Sequence, residues 1–229
     1  MQASLQPSPF ESAVAIDDQP ALQRFRGGLR ALRRLRANPG DTEQALAAAV
    51  LLNAGRFPAI LAGFEASAEG REVLRARPAI DCEQIDLAAL SKLPEGTLGQ
   101  AYSAFLTSRN LTPEVFVAPR DVRDENVRYL SQRMRQTHDL WHVLTGYDTD
   151  VLGEIELQAF MYAQLGTPFS LLVAVLGMSR ARPRTIALPR RVWAAFMRGK
   201  HAEQLVWRFW ERHFTTPVAD LRRMLKLVP

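Results

Sequence analysis

The chain has one cysteine, Cys82, and only three lysines, Lys92, Lys200 and Lys226. A single thiol excludes an internal disulfide framework and offers no second thiolate for a zinc knuckle, so a reducing compartment is expected. The opening residues carry Glu11, Asp17 and Asp18 and lack the basic start and apolar block of a secretory signal, which predicts a protein that stays in the cytoplasm. Long hydrophobic runs are scarce. The most apolar stretch, Phe169 to Met178, falls well short of the roughly 20 residues that span a bilayer, so any membrane association should be peripheral. Strand alternation is absent as a convincing pattern, and so is any internal repeat.

What is present is arginine. The formal charge of +5 comes almost wholly from it, and the pI is near 9.9. Such a balance favours anionic membranes, nucleic acid or phosphorylated ligands, but acidic residues are interspersed, and a genome biased toward arginine codons gives the same picture. The arginines are dispersed and form no recognition helix, so nucleic acid is not an expected partner. With 47% apolar content over 229 residues, the chain can bury one sizeable core. The expected organisation is a loose, proline-containing arm over 1–20 and a single helical domain over 21–229. The fold class is all-α, a multi-helix bundle with its site between two adjacent helices.

From Ala21 to Arg36, Leu22, Phe25, Leu29, Leu32 and Leu35 recur at helical steps between six arginines. Two readings stand: a basic face for a membrane surface, or a solvated flank with its leucines in the core. Gly27 and Gly28 weaken this helix. After the Pro39-Gly40 break, Asp41 and Thr42 suit an N-cap for an alanine-rich helix to Asn53. Shorter helices are predicted over Phe57–Phe64, Glu65–Arg75, Asp86–Leu93 and Thr97–Ser108. A long one is predicted from Arg123 to Thr145, with Val127, Leu130, Met134, Thr137, Trp141 and Leu144 as its stripe. Gly146 sits at the C-cap position. Further helices are expected over Val151–Leu165, Pro168–Met178, Pro189–Arg198, His201–His213 and Pro217–Leu227.

The segment His138-Asp139-Leu140-Trp141-His142 puts two imidazoles at i and i+4, about 6 Å apart at Cβ on one helix face, a spacing that suits one metal ion. Asp139 lies about 100° round the helix; its short carboxylate can reach the same ion or orient an imidazole. Eleven residues separate His142 from Glu154, which opens the next helix. A turn of that length lets an antiparallel neighbour present its carboxylate. Two nitrogens and one or two carboxylate oxygens suit Zn²⁺ first, with Fe²⁺ and Mn²⁺ accepting similar donors. The plain alternative is a pair of helix-surface histidines. The pattern also resembles H-E-x-x-H metallopeptidases, but Asp139 stands where their glutamate base does and is one methylene shorter, which disfavours that reading. Cys82, His201 and His213 have ordinary packing or helix-face readings.

The stretch His138-Asp139-Leu140-Trp141-His142, eleven residues, then Glu154, resembles the signature of the ubiquinone-biosynthesis family of the fourth-numbered Coq protein. Leu93-Pro94-Glu95-Gly96-Thr97-Leu98-Gly99 resembles that family's L-P-x-G-T-L-G element, and Trp207 to Glu211 with Leu221 resembles its aromatic, basic C-terminal helix. The likeness is good over about residues 80–227. It implies an all-helical fold, metal ligands at His138, Asp139, His142 and Glu154, and a metal-dependent lyase that removes the C1 carboxylate of a polyprenylated 4-hydroxy-3-methoxybenzoate, with or without hydroxylation at that carbon. Asp139 is then also the candidate proton donor, and Arg135 the candidate to hold an anion. Implied partners are the polyprenylated aromatic substrate, other ubiquinone-biosynthesis enzymes, a peripheral surface on the inner face of a bacterial membrane, and a second copy in a homodimer. The rival class is a non-catalytic lipid-binding scaffold in which the metal only stiffens two helices. For a polyprenyl tail, Phe160 to Met178 with Trp193, Phe196, Trp207, Phe209 and Trp210 could line a groove or form ordinary core.

Overall fold

The computed structural model describes residues 15–38, 41–113, 122–180 and 187–227. Among them the chain is all-helical: α1 (Ala21–Ala37), α2 (Thr42–Asn53), α3 (Phe57–Ala66), α4 (Ala68–Ala76), α5 (Leu87–Ser91), α6 (Leu98–Ser108), α7 (Glu125–Gln136), α8 (His138–Thr145), α9 (Val151–Leu165), α10 (Pro168–Arg180), α11 (Ala187–His201) and α12 (Val218–Met224), with 3-10 turns at Ile16–Asp18, Ala54–Arg56 and Trp210–Arg212. The only extended pairing among the described residues is one bridge between Thr97 and Pro217.

Side-chain caps start the helices where the sequence places them. Asp41 accepts from Gln44, Ser67 from Gly70, Asp86 from Ala89, Asp124 from Asn126 and Val127, and Asp150 from Gly153. Each satisfies an amide that the helix leaves without an internal partner. The main core gathers Phe64, Tyr102, Leu130, Trp141, Leu144, Phe160, Trp210, Leu221 and Leu225 from α3, α6, α7, α8, α9 and the C-terminal segment. α9 is enclosed between α8, α10 and α11, so its buried residues run right round it, from Gly153 to Leu165, as befits a helix without a solvent face.

A second cluster joins α1 and α2 with Phe169, Leu172 and Val173 of α10. In α1 both readings have a share: Leu29, Leu32 and Leu35 pack into this cluster while Leu22 and Phe25 remain exposed. Gly28 does not break the helix. A side chain there would run into Leu52, so the glycine lets α1 and α2 approach closely. Residues 1–14 of the predicted arm lie outside the described residues; Ile16 is already buried, packed with Val50, Leu51 and Val122.

Three expectations change. Among the described residues the longest apolar helical run is Gln44–Ala66, long and apolar enough to cross a membrane by length and composition, rather than Phe169–Met178. It is interrupted by the 3-10 turn at Ala54–Arg56, and Ala47, Ala48, Ile60 and Phe64 face the two core clusters. The predicted 123–145 helix is two, α7 and α8, which meet at buried Thr137, whose hydroxyl donates back to the Arg133 carbonyl at 2.9 Å. The segment His201–His213 is largely irregular. Its polar backbone groups bond to distant partners: Glu203 N–H donates to the Leu225 carbonyl, Leu205 N–H to Gln164, Phe209 N–H to Glu69, and the Arg208 carbonyl accepts from buried Arg133. The expected aromatic C-terminal helix is thus a loop pinned by tertiary bonds.

Candidate metal centre

α8 and the first turn of α9 are joined by residues 146–150. Gly146 ends α8 in the left-handed region, and Asp150 caps α9. Between them the chain folds tightly enough that a Cβ on Gly153 would lie 2.1 Å from the Asp148 carbonyl oxygen. Arg109, at the end of α6, holds this loop from outside, 2.6 Å from the Asp148 carboxylate and 3.1 Å from the Thr149 hydroxyl, with its guanidinium 4.1 Å above the Phe105 ring. The turn folds α9 back so that Glu154 meets α8.

The predicted residues converge. His142 Nε2 lies 3.2 Å from His138 Nε2 and 3.0 Å from Glu154 Oε1, and His138 Nε2 lies 3.6 Å from the same oxygen. His138, Asp139 and His142 each offer a donor atom within 4.8 Å of the others. Donors set tetrahedrally about 2 Å from one ion stand roughly 3.3 Å apart, so the two imidazoles and Glu154 have the spacing that a small divalent cation requires.

The tautomer supports the same fit. His142 Nδ1 is 2.9 Å from the Tyr147 carbonyl, which can only accept, so Nδ1 carries the hydrogen. In the neutral ring Nε2 then turns a lone pair toward a second imidazole and a carboxylate. Such an arrangement needs a cation between the donors or a shared proton. Burial works against charge on His142, but the bond to Glu154, its negative charge and the Tyr147 carbonyl together raise the imidazole above its usual value. Burial likewise pushes the Glu154 carboxyl up, and the hydrogen bonds and charges of His138 and His142 hold it far below the ordinary carboxylate range.

Several groups near the site had no motif to announce them. Phe105 stacks on His142, with ring centroids 5.6 Å apart and planes at 22°. Tyr102 is almost wholly buried on the same face of α6. Burial pushes its phenol up, the Asp139 charge pushes it further, and Arg135 opposes. A usable signal existed, because Tyr102, Phe105 and Arg109 continue a helical stripe that begins at Leu98 inside the L-P-E-G-T-L-G element. That element docks the start of α6 on the C-terminal segment, through Leu98 N–H to Thr216, Gly99 N–H to Phe214 and Val218 N–H to Gly96. A cleft of about 490 Å³ opens beside His142, lined by Ala101, Ala104, Phe105, Arg109 and Tyr147 among others. Of the suggested groove aromatics, Trp210 is core, whereas Trp193 is 62% exposed and stacks on Phe196.

An all-helical protein whose H-D-x-x-H helix and facing glutamate converge on one point, with a phenylalanine against the second imidazole, defines a class of helical proteins built round a compact histidine–carboxylate cluster. A model of the family described as "Coenzyme Q (ubiquinone) biosynthesis protein Coq4" matches residues 36–229, and the chain belongs to that family. Mitochondrial ubiquinone biosynthesis protein COQ4 homologues from Rattus norvegicus and Homo sapiens are 33% and 34% identical over 70% and 69% of this chain, and 62% and 60% of their own length. The Pyricularia oryzae protein is 35% identical over 72% of this chain and 55% of its own. The chain thus spans about three fifths of the relatives it matches. A crystal structure of a ubiquinone biosynthesis protein from Nostoc punctiforme superposes with a TM-score of 0.71 at 28% identity, covering 88% of this chain and 97% of that one.

Proposed function

We propose that this chain acts in ubiquinone biosynthesis as a metal-dependent lyase that removes the C1 carboxylate of a polyprenylated 4-hydroxy-3-methoxybenzoate. The observation that carries the reading is the convergence of His138, His142 and Glu154 at 3.0–3.6 Å beside a cleft wide enough for an aromatic ring. His138, His142 and Glu154 would hold the ion, Zn²⁺ by preference. Bound there, it supplies Lewis acidity toward an anionic oxygen of the substrate.

The chain's own groups do the rest. Phe105 and the apolar wall formed by Ala101 and Ala104 take the ring, and Arg109 adds positive charge at the rim. The ionised 4-hydroxyl is para to C1 and feeds electron density to it. A proton arrives at C1, the bond to the carboxylate breaks with its electron pair left on the ring, and carbon dioxide departs as aromaticity returns. Asp139, within 4.8 Å of both histidines, is the candidate to deliver that proton or to complete the ligand set. Asp139→Asn separates the roles: a donor loses turnover and keeps the metal, whereas a ligand loses both.

The test incubates purified, metal-loaded protein with the prenylated acid in detergent and follows acid and decarboxylated phenol by mass spectrometry, with His142→Ala in parallel. Phenol from wild type alone is the expected result; full turnover by a metal-free variant overturns the scheme. A second reading, a lipid-binding scaffold that docks partner enzymes at a membrane, draws on the exposed Leu171, Val175 and Leu176 of α10. It predicts equal lipid binding by wild type and His142→Ala, and no product from either.

A further inference from the structure

An α-helix ends with four carbonyls that have no partner inside it. In α8, the helix that carries both histidines, all four are taken, and mostly by side chains from far along the chain. The His142 carbonyl accepts from Gly146 N–H at 2.8 Å. Those of Val143 and Leu144 accept from the Arg222 guanidinium at 3.1 and 2.9 Å, and that of Thr145 accepts from Arg198 at 2.6 Å. Arg198 donates from its other two nitrogens to the Leu227 carbonyl, at 2.9 and 2.7 Å. Its guanidinium lies 5.4 Å from the centre of the Tyr147 ring, the residue whose carbonyl fixes His142 Nδ1.

Two cations therefore sit together at the negative pole of one short helix, and the contacts above pair both with carbonyls. Burial and the neighbouring Arg198 charge lower the Arg222 pKa. Bringing two such charges together opposes folding unless the helix end they meet compensates. We infer that Arg198 and Arg222 are positioning residues for the metal site. By clamping the last turn of α8 and the ring of Tyr147, they hold the His142 imidazole in the tautomer and direction that meet Glu154. The inference rests on the metal reading above, since a clamp on a merely packed histidine would have no ligand to orient.

Arg56 provides the control. It makes the same kind of bond, to the Leu165 carbonyl at 3.2 and 2.9 Å, at the end of α9 remote from Glu154. The experiment measures Zn²⁺ affinity by chelator competition, the visible spectrum of the Co²⁺-loaded protein, and thermal unfolding of the metal-free protein. Wild type, Arg198→Lys, Arg222→Lys, Arg56→Lys and His142→Ala are compared. Lysine keeps the charge but cannot bridge two carbonyls as the guanidinium fork does. The expected result is a weakening of Zn²⁺ binding by about ten- to a hundredfold for Arg198→Lys and Arg222→Lys, with an altered cobalt spectrum. Arg56→Lys should lose a comparable increment of thermal stability at unchanged affinity. Wild-type affinity and spectrum in the Arg198 and Arg222 variants overturn the clamp. If wild type itself binds no better than His142→Ala, the metal reading fails instead.

Discussion

Glu154 works at the scale of a single side chain. Its carboxylate faces two imidazole nitrogens, and replacing it by glutamine keeps its shape while removing the charge that balances a divalent ion. Glu154→Gln is expected to weaken Zn²⁺ by at least about tenfold in chelator competition while leaving the helical circular dichroism unchanged. Gly153 acts one residue earlier and through space alone. Because a methyl group there would meet the Asp148 backbone, Gly153→Ala must push the loop away from α9. A loss of about 1–3 kcal/mol in urea unfolding is expected, together with weaker metal binding, since the loop sets where Glu154 stands. Unchanged unfolding would show that the loop yields freely. Both histidines and both acidic residues stand out in the sequence as a motif, because the proposed ligand role asks for particular residue types at a particular spacing. Phe105 and the Tyr147 carbonyl do not: an aromatic that stacks on a ligand looks like core, and a main-chain oxygen has no residue signature.

At the scale of elements, helix beginnings were readable and one helix was not. Asp41 announces a start through a short polar side chain and caps as expected, and Asp124 and Asp150 cap α7 and α9 in the same way. The run His201–His213 has helical composition but is held open by tertiary hydrogen bonds, which no local pattern encodes. Glu69 of α4 is the chief anchor of that run, bonded to Phe209 N–H and Arg208, with His213 close by. Burial pushes its carboxyl up, but the nearby His213 imidazole and the hydrogen bonds from Phe209 N–H and Arg208 bring it down to about 2, against 4.5 for a free glutamate. A carboxyl with a lower pKa folded than unfolded stabilises above the unfolded value. That stabilisation fades as pH falls from 4.5 toward about 2. Urea melts across this window should show a steep acid loss in wild type, on the order of 2–3 kcal/mol, and a shallower one in Glu69→Gln. Parallel curves for the two proteins would mean that Glu69 does not anchor the loop.

For the whole molecule, the all-helical class followed from the periodicity, but the placement of apolar surface did not. α10 packs Phe169, Leu172 and Val173 inward and leaves Leu171, Val175 and Leu176 exposed. If that face meets lipid, Leu171→Glu combined with Val175→Glu should abolish co-sedimentation with anionic liposomes and leave Zn²⁺ affinity at the wild-type value; retained sedimentation would clear this face of the role. The clamp on α8 also bears on how the protein is made. All four candidate ligands have been synthesised by the end of α9, yet the groups inferred to square α8 toward Glu154 come from residues 198 and 222, translated later. A nascent chain stalled between α9 and α11 carries the donors without their alignment. On the proposed metal reading, ion uptake would belong to a late stage of biogenesis, and a half-made chain would be protected from capturing whichever cation it meets first.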